Sequence, residues 1–380
     1  MTAIDDEYLA RARALHQRAV VIDTHCDTTQ RLAEAKWDFS TRHETGHVDI
    51  PRLREGGVDA AFFAVWAPGP VEAGQGIEAA REQIRRIHEA ARRHDGQVVP
   101  ARSAGDIRRA KLDGRIAILI AIEGGYLIED SLDVLREYHR AGAAYMTLTH
   151  GFHTSWADSS GIDEPLRPLH GGLTDFGREV VRELNHLGMM VDVSHASDDT
   201  VRDVIDVSVA PVMASHSSCR ALSPHVRNLT DEMMTAVAAT GGIVQINFFA
   251  GFIDPDFPPV DPDALKRWVD SGGLYTGPIT DHVTPLSLLV DHFEHALGLI
   301  GPDHVGIGSD FDGLPQLPAG MEDCSRLPHL TAELLRRGHT EEELTKVLGE
   351  NVLRVMAACE QAERKSEQGR YPDDPGPGHD

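Results

Sequence analysis

Short apolar segments alternate along the chain with longer segments in which apolar residues recur every three or four positions. The first pattern predicts β-strands and the second predicts amphipathic helices. Their alternation is typical of successive strand–helix units around a parallel sheet. Eight strands are predicted in this way, at residues 19–23, 58–66, 116–122, 143–149, 189–194, 211–215, 242–248 and 304–309.

Several of the predicted strands are apolar at every position, as in the sequence Ile-Ala-Ile-Leu-Ile-Ala-Ile of residues 116–122. Such strands are buried on both faces, which favours a parallel sheet covered by helices. The fold class that we expect is therefore α/β, a (β/α)8 TIM barrel with loop insertions and C-terminal helices. The helices between the strands are predicted at residues 77–93, 131–141, 174–187, 198–207, 230–240 and 281–299.

Two insertions interrupt the regular pattern. Pro68-Gly69-Pro70 begins a long second connection, which carries one helix and a candidate second helix around residues 103–112. A loop rich in Pro, Asp and Gly, residues 254–278, follows the seventh predicted strand. At that end of a barrel, long loops usually shape the pocket.

The C-terminal part is expected to consist of helices and a tail. Residues 329–337 and 340–359 have helical periodicity, and Thr340 with Glu343 fits a capping box. After Glu360 the chain becomes polar and contains Asp-Asp-Pro-Gly-Pro-Gly, a composition typical of disorder. We therefore expect residues 1–360 to form a single barrel domain and residues 361–380 to form a disordered tail.

Composition narrows the classes of function. The 380 residues carry 36 basic and 60 acidic side chains, and the net charge of -24 argues against a nucleic-acid partner, which would need clustered Lys and Arg. No apolar run approaches the roughly 18 residues of a membrane span, and the acidic start does not resemble a secretory signal. Four cysteines are too few for a disulfide framework, so we expect a cytoplasmic protein. The 21 histidines direct the search towards metal ligands.

Metal-binding residue types occur where predicted strands end, at the face on which barrel enzymes keep their active sites. After the first strand, His25 and Asp27 project to the same face of an extended segment and can bind one divalent ion together. As a bare His-x-Asp tripeptide this is a weak signal. Glu123 ends the third strand, where a buried carboxylate is costly unless it coordinates or pairs. Its alternative is a position just outside the barrel rim.

Histidines end two adjacent strands, His195 after the fifth and His216 after the sixth. One histidine in such a place is more often a hydrogen-bonded polar residue than a ligand, but two on neighbouring strands are harder to dismiss. The eighth strand leads into Asp310 and Asp312, and either carboxylate fits a turn cap as well.

These strand ends carry more information together than separately. Imidazoles and carboxylates without cysteine favour zinc or a similar cation, and a glutamate can bridge two ions. Two ions about 3.5 to 4 Å apart can hold a hydroxide between them, because coordination lowers the pKa of water towards roughly 7. The joint pattern therefore predicts a metal-dependent hydrolase.

Seven ordered fragments then resemble the renal (membrane) dipeptidase family, a branch of the amidohydrolase-type metal-dependent barrels, over nearly the whole chain. They are Val21-Ile22-Asp23-Thr24-His25-Cys26-Asp27, Val48-Asp49-Ile50-Pro51-Arg52-Leu53, Ile122-Glu123-Gly124-Gly125, Leu148-Thr149-His150 with Trp156-Ala157-Asp158, Val193-Ser194-His195, Ser215-His216-Ser217-Ser218, and Asp310-Phe311-Asp312-Gly313.

The resemblance implies a dipeptidase with two zinc ions per chain. It places His25, Asp27 and Glu123 on one ion, and Glu123, His195 and His216 on the other, so that Glu123 bridges the two. It also implies a dipeptide substrate and a homodimer, the assembly common in the family.

The resemblance also implies three roles that spacing does not reveal. His150 corresponds to the histidine that contacts the scissile carbonyl and stabilises the oxyanion, whereas by itself it would be a rim residue. Arg227 corresponds to the arginine that binds the free carboxylate of the dipeptide, and its alternative is a surface-loop arginine. Asp310 corresponds to the acid/base that moves a proton from the attacking water to the leaving amine. Asp312 is interpreted as structural.

Two positions depart from the family pattern. Cys26 replaces an asparagine found in many relatives; a soft contact to metal is conceivable, but a small buried filler fits a thiol better. Phe252 falls near the place where some members have a tyrosine hydroxyl for the substrate carboxylate. Binding of this carboxylate would therefore depend more on Arg227.

The sequence therefore predicts a zinc-dependent dipeptidase that acts through a hydroxide bridging two metal ions. A related binuclear amide hydrolase, acting on a cyclic amide, a β-lactam or an amino-acid conjugate, is the nearest alternative. An alternative of another class is a non-catalytic barrel that binds metal or peptide. The presence of Asp310 and His150 argues against the latter, because storage needs ligands but no proton shuttle.

Overall fold

The structure is a computed structural model, which describes residues 6–34, 37–69, 72–162, 164–261, 263–264, 266–267 and 279–369, with side chains up to residue 362. Within these residues the strands form one sheet in which all pairings are parallel. The strands are β1 Ile22–Cys26, β2 Ala60–Val65, β3 Val98–Pro100, β4 Ile116–Glu123, β5 Ala143–Thr147, β6 Met190–Asp192, β7 Val212–Ala214, β8 Ile243–Ile246 and β9 Val305–Ile307.

The sheet curls into a nearly closed barrel of eight parallel strands, in the order β1-β2-β4-β5-β6-β7-β8-β9. The first and last strands meet beyond their ends, where Asp27 N–H donates to Phe311 O at 2.8 Å and Asp310 N–H donates to His25 O at 3.0 Å. All eight predicted strands are present, and the predicted TIM barrel is confirmed. The short strand β3 was not predicted; it pairs with the first half of β4, whose second half pairs with β5.

Helices occupy most of the connections between strands. The predicted helices are confirmed, including the candidate at residues 103–112. The helices at Asp6–Arg18, Thr28–Arg31, Ile50–Gly56 and Ala250–Ile253 were not predicted. The helices are α1 Asp6–Arg18, α2 Thr28–Arg31, α3 Ile50–Gly56, α4 Gln75–Arg93, α5 Ala104–Leu112, α6 Leu132–Arg140, α7 Asp175–His186, α8 Asp198–Val207, α9 Asp231–Ala239, α10 Ala250–Ile253, α11 Leu286–Ile300, α12 Leu327–Arg336, α13 Glu341–Thr345 and α14 Asn351–Gly369.

The alternation of side chains along the strands divides the core in two. In β2, Ala60 and Phe62 belong to a cluster shared with alternate residues of the other strands, which lies inside the barrel. Ala61 and Phe63 pack in the other direction, in the layer between strands and helices. In β4 the inward series 117, 119, 121 ends at Glu123, so the last residue of this strand projects into the barrel at its C-terminal end.

The last helix lies against the opposite end of the barrel. Val352 and Met356 of α14 belong to the interior cluster, and Cys359 Sγ donates to Pro211 O, which precedes β7. The predicted helix 340–359 is interrupted by a wide turn at Lys346–Glu350. A Cβ at Gly349 would lie 2.5 Å from Val20 O, so only glycine permits this close approach to the strand before β1.

The predicted boundaries differ from the structure at several helix ends. The predicted capping box is present, because Glu343 N–H donates to Thr340 Oγ1 and Thr340 N–H donates to Glu343 Oε2. The helix predicted at 281–299 begins only at Leu286, after Pro285. Regular structure was expected to end at Glu360, whereas α14 continues to Gly369. Residues 370–380 of the expected tail, and residues 262, 265 and 268–278 of the predicted pocket loop, lie outside the described residues.

None of the helices among the described residues combines the length and the apolar character that crossing a membrane requires. The four cysteines are buried and free. Cys26 Sγ donates to Phe62 O at 3.3 Å, so this thiol is engaged with β2 and is a buried filler, as interpreted from the sequence.

Candidate metal centre

The three predicted histidine ligands surround one oxygen of Glu123. The Nε2 atoms of His195, His25 and His216 lie 3.2, 3.4 and 3.5 Å from Glu123 Oε1. Their side chains come from four different strand ends, and all four residues are buried. Glu123 is therefore at the centre of the cluster, as a bridging ligand would be.

Two further carboxylates complete the cluster beside His25. The Nε2 atom of His25 lies 3.8 Å from Asp27 Oδ2 and 3.9 Å from Asp310 Oδ1. Among the described residues, three groups offer ligand atoms that all lie within 4.8 Å of one another: His25, Glu123 and His216; Glu123, His150 and His195; and His25, Asp27 and Asp310.

These groups differ in part from the expected division of ligands. The five predicted ligands are all brought together, but His216 is grouped with His25, and His195 is grouped with His150. The predicted oxyanion residue His150 also enters a group, because its Nε2 atom lies 3.8 Å from Glu123 Oε1. The predicted acid/base Asp310 lies close enough to His25 and Asp27 to belong to the same centre.

Local backbone geometry orients the side chains of the candidate ligands. An irregularity in the pairing of β1 between Asp23 and Cys26 separates His25 and Asp27 from the regular strand register. His195, Asp310 and Asp312 have φ angles of 65°, 64° and 66°, a left-handed conformation that non-glycine residues seldom adopt. Such strain is typically retained at functional sites, where the surrounding structure compensates for it.

The donor set fits a cation. Nε2 of His25 and Oδ1 of Asp27 are buried without a hydrogen-bond partner. The Nε2 atoms of His195 and His216 lie 3.0 Å apart. Buried polar atoms without partners are costly, and a divalent ion would satisfy several of them at once.

The electrostatics of the cluster also favour a cation. Burial, reinforced by the charge of Glu123, raises the pKa of Asp27 well above its usual range. Burial opposes a charge on His25 as well, but the carboxylates around it, Glu123 foremost, outweigh this effect and raise its pKa to about 10. Burial lowers the pKa values of His195 and His216 well below their usual range, which keeps these imidazoles neutral. Neutral imidazole is the form that binds metal.

The carboxylate of Asp310 is held by a neighbour that the sequence did not reveal. Asn247 Nδ2 donates to Asp310 Oδ2 at 2.9 Å, and Asn247 Oδ1 accepts from Phe249 N–H at 2.6 Å. The backbone bond fixes which end of the amide faces Asp310. The run 242–248 predicted the strand, but nothing in the sequence distinguished Asn247 from another strand-end residue.

Arg227 is a buried cation, and two of its nitrogen donors have no hydrogen-bond partner. It is 3% exposed, and its Nε and Nη1 atoms have no hydrogen-bond partner. Nη2 donates to His216 O at 3.4 Å, and the guanidinium carbon lies 5.5 Å from the centre of the Phe252 ring. Burial lowers the pKa of Arg227 to about 10, so it stays charged at neutral pH. An anionic group from outside the chain would satisfy the two free donors.

The loop between β5 and α7 forms the rim beside His150. Its carboxylate anchor is Asp158, which is 1% exposed and accepts hydrogen bonds from the backbone N–H groups of four consecutive residues, Leu169 to Gly172. Ser159 Oγ in turn donates to His150 O at 2.5 Å. This hydrogen bond ties the backbone of His150 to the rim loop. Asp312, by contrast, binds Thr28 and the backbone of His47, which agrees with its interpretation as structural.

A comparison with family models matches residues 9–370 to the membrane dipeptidase family, peptidase family M19. Among curated proteins, dipeptidase aclJ of Aspergillus oryzae is 39% identical over 327 residues, covering 84% of this chain and 71% of the relative. Dipeptidase verJ of Clonostachys rogersoniana is 35% identical over 381 residues, covering 96% and 91%.

Two solved structures that are similar to this chain are also described as peptidases. The probable dipeptidase PvdM from Pseudomonas aeruginosa superposes with a TM-score of 0.81 at 27% identity, covering 94% of this chain and 99% of the other. A metallo peptidase from Rhodobacter sphaeroides, bound to a phosphinate mimic of the dipeptide L-Ala-D-Ala, has a TM-score of 0.77 at 27% identity, covering 90% and 99%.

Proposed function

This chain belongs to the membrane dipeptidase family of metallo-dipeptidases, and from that premise we propose that it hydrolyses the peptide bond of dipeptides with two zinc ions. The observation that carries the proposal is the meeting of three imidazole nitrogens at one oxygen of Glu123. The resemblance of the sequence and the geometry of the cluster support the same chemistry independently.

For the ligands, the proposal keeps His25, Asp27 and Glu123 on one ion and Glu123, His195 and His216 on the other. The unpartnered Nε2 of His25 and Oδ1 of Asp27 support the first set. The separation of 3.0 Å between the Nε2 atoms of His195 and His216 supports the second set. Zinc fits better than a hard cation because two of the three residues proposed for the second ion are imidazoles.

When bound, the two ions would supply a water molecule of lowered pKa and a Lewis acid for the carbonyl group. We propose that His150 donates a hydrogen bond to the carbonyl oxygen as its charge develops. Burial lowers the pKa of His150, so the ring is neutral and one nitrogen carries a proton while the other does not. The distance of 3.8 Å between His150 Nε2 and Glu123 Oε1 supports a donor beside the proposed metal centre.

Asp310 is proposed to move the proton from the attacking water to the departing amine. Burial raises the pKa of Asp310, although the neighbouring His25 opposes the shift. A raised pKa suits a carboxyl group that must give a proton as well as accept one. Asn247 occupies one of its oxygens, and the other oxygen is the one that faces His25.

Arg227 is proposed to bind the C-terminal carboxylate of the dipeptide, since its Nε and Nη1 atoms have no hydrogen-bond partner and Nη2 makes only a 3.4 Å contact to His216 O. Either Nε or Nη1 forms a pair with Nη2 that matches the two oxygens of a carboxylate. Phe252 packs against the guanidinium and carries no hydroxyl, so the carboxylate would depend on Arg227 alone at this place. A charge held at a fixed distance from the metals would select dipeptides over longer chains.

A panel of dipeptides, assayed on zinc-loaded protein with and without a chelator, tests the proposal. It should contain L,L pairs and L,D pairs, since the related metallo peptidase binds a mimic of L-Ala-D-Ala. We expect cleavage that the chelator abolishes and zinc restores. Cleavage of cyclic amides or acylated amino acids in preference to every dipeptide would replace this function with the related amide hydrolase. Binding of zinc without turnover of any substrate would favour a non-catalytic barrel.

The organisation that we propose is one barrel domain in residues 1–360. The homodimer and the cytoplasmic location stay predictions. Light scattering on the purified protein tests the first, and fractionation of source cells tests the second.

A further inference from the structure

Two of the proposed metal-binding histidines have a hydroxyl group behind them, on the side away from the centre. Tyr145 Oη lies 2.7 Å from His25 Nδ1, and Ser215 Oγ lies 2.7 Å from His216 Nδ1. Both hydroxyl residues are fully buried. The metal-facing nitrogen of each ring can bind an ion only if the ring proton is on Nδ1, so the direction of these two hydrogen bonds matters.

At His216 the direction follows from Asp192. The Oδ1 atom of Asp192 accepts from Ser194 N–H and Ser215 N–H, at 3.0 and 2.8 Å. Its Oδ2 atom accepts from Thr147 Oγ1 and Ser215 Oγ, at 2.5 and 2.6 Å. Four donors on two oxygens are the environment of an ionised carboxylate, which can only accept.

Ser215 has a single hydroxyl proton, and this proton is used in the hydrogen bond that Ser215 Oγ donates to Asp192 Oδ2. The contact between Ser215 Oγ and His216 Nδ1 is then satisfied only if Nδ1–H is the donor. The Nε2 atom of His216 is left as a lone pair, 3.5 Å from Glu123 Oε1. A negative charge behind the ring also increases the basicity of that nitrogen.

At His25 the same logic holds with a weaker acceptor. The hydroxyl of Tyr145 donates to Thr24 O at 2.9 Å, and a phenol has only one proton to donate. The short contact to His25 Nδ1 therefore makes the imidazole the donor. His195 differs from both, because its Nδ1 atom has no partner and its strained backbone aims the ring instead.

We infer that Asp192, acting through Ser215, and Tyr145 are positioning residues that hold the protons of His216 and His25 on Nδ1 and so keep both Nε2 atoms available to metal. This inference rests on the proposed metal centre. It adds residues that touch neither the metal nor the substrate.

The test uses zinc-loaded protein and measures zinc affinity by competition with a chromophoric chelator. Loss of a ligand's hydrogen-bond partner typically costs about 10- to 100-fold in metal affinity, and we expect a loss of this size at one site in Ser215→Ala and in Tyr145→Phe. Ser218→Ala and Tyr138→Phe are the matched controls, since these buried hydroxyls donate only to Asn247 O and Leu127 O. Both controls are expected to keep wild-type affinity, and Ser215→Thr is expected to restore it.

Asp192→Asn makes the sharper prediction. Two backbone N–H groups require an oxygen at the Oδ1 position, so the amide nitrogen would face Ser215 and donate to its hydroxyl. The serine proton is then free to turn towards His216 Nδ1, which would move the ring proton to Nε2. We expect this variant to bind zinc at least as weakly as Ser215→Ala.

Nitrogen-15 spectra of the metal-free wild type give a readout that needs no variant, because no ion then holds the proton off Nε2. A protonated Nδ1 and an unprotonated Nε2 are expected at His216, whose buried ring is neutral. A proton on Nε2 of His216 in this form, or wild-type zinc affinity in Ser215→Ala and Tyr145→Phe, would overturn the inference and leave the proposed function standing. Wild-type protein that binds no zinc would overturn the proposed function itself.

Discussion

His195 and His216 face each other with their Nε2 atoms 3.0 Å apart, and each lies within 3.5 Å of Glu123 Oε1. Two imidazoles and a carboxylate compete for the same small volume. Burial keeps both imidazoles neutral, which is the form that binds metal. A divalent cation resolves the crowding because it accepts lone pairs from all three groups.

We expect zinc to stabilise the fold. Binding to the folded state alone adds about 4 kcal/mol when free zinc exceeds the dissociation constant by about 1,000-fold. The reason lies in Asp27 and Asp310, where burial raises the pKa and so disfavours the charged forms that a cation would favour. Scanning calorimetry of dialysed protein with and without added zinc measures the rise in Tm. A Tm that does not respond to zinc would contradict a buried metal centre.

Asp310→Asn is expected to keep zinc and lose turnover. The side chain keeps its size, and its oxygen can still accept from Asn247, but it can no longer exchange a proton. General acid–base catalysis typically contributes about 10²- to 10⁴-fold, so kcat should fall by about 10²-fold or more. Metal analysis beside steady-state kinetics checks both parts. Full turnover would remove Asp310 from the mechanism, and loss of zinc would make it a ligand.

Arg227→Met should penalise substrates with a free carboxylate. Truncating one partner of a buried charged pair costs roughly 2 to 5 kcal/mol, so kcat/KM for a dipeptide should fall by about 30-fold or more. The C-terminal amide of the same dipeptide lacks the anion, and its lower kcat/KM should change little between the wild type and the variant. Equal kcat/KM for dipeptide and amide in the wild type would rule out the binding of the substrate carboxylate by Arg227.

The strands, and the candidate ligands that stand at their ends, could be predicted from the sequence because they follow local rules. A buried parallel strand such as β4 is apolar at every position, and the polar residue that ends it, Glu123, is conspicuous. Strand β3 has three residues and no such signature, and α1 buries only Ala12, Leu15 and His16 within a charged segment. Weak local patterns of this kind gain their structure from tertiary contacts.

The residues that support the site could not be predicted, because their roles depend on contacts between distant segments. Tyr145 reaches His25 across 120 positions in the sequence, and Asn247 reaches Asp310 across 63. The left-handed backbone of His195 is likewise invisible in a sequence, since histidine seldom adopts it. Local pattern identified the candidate ligands, whereas the contacts that orient them depend on the fold.

His16 predicts a pH dependence of stability. Its ring is buried, with Nδ1 donating to Gly56 O at 2.7 Å and Nε2 accepting from Thr331 Oγ1 at 2.8 Å, so the neutral ring satisfies both contacts. Burial lowers the pKa of His16 to about 4, from 6.5. The unfolded chain therefore binds more protons between these values, and the free energy of unfolding should fall as pH decreases from about 6.5 to about 4. Above 6.5 the contribution is complete, and below 4 it changes no further.

The full contribution of His16 is roughly 3 kcal/mol, since one pKa unit corresponds to about 1.4 kcal/mol. Urea unfolding at several pH values, on wild type and His16→Gln, measures it. The variant should be less stable at pH 7.5 and should show a shallower loss towards pH 4.5. Parallel curves for the two proteins would mean that the protonation of His16 is not linked to folding.

Asp158 should hold the rim loop, and through it His150. Its carboxylate accepts five hydrogen bonds from the N–H groups of residues 169–172 in a buried place, and Asp158→Ala would leave these donors without a partner. Each unsatisfied buried group costs about 1 to 3 kcal/mol, and relaxation of the loop towards solvent would recover part of that sum. We expect Asp158→Ala to lose about 2 to 4 kcal/mol of stability, and Asp158→Asn to lie between this variant and the wild type because its amide keeps one acceptor oxygen.

Asp133→Ala, which removes an exposed carboxylate paired with Arg136, is the control and should change stability by less than about 0.5 kcal/mol. Hydrogen exchange should rise in residues 150–174 of Asp158→Ala, and kcat should fall because His150 loses its support. Wild-type exchange in this segment together with reduced stability would show that Asp158 stabilises the fold without positioning the loop.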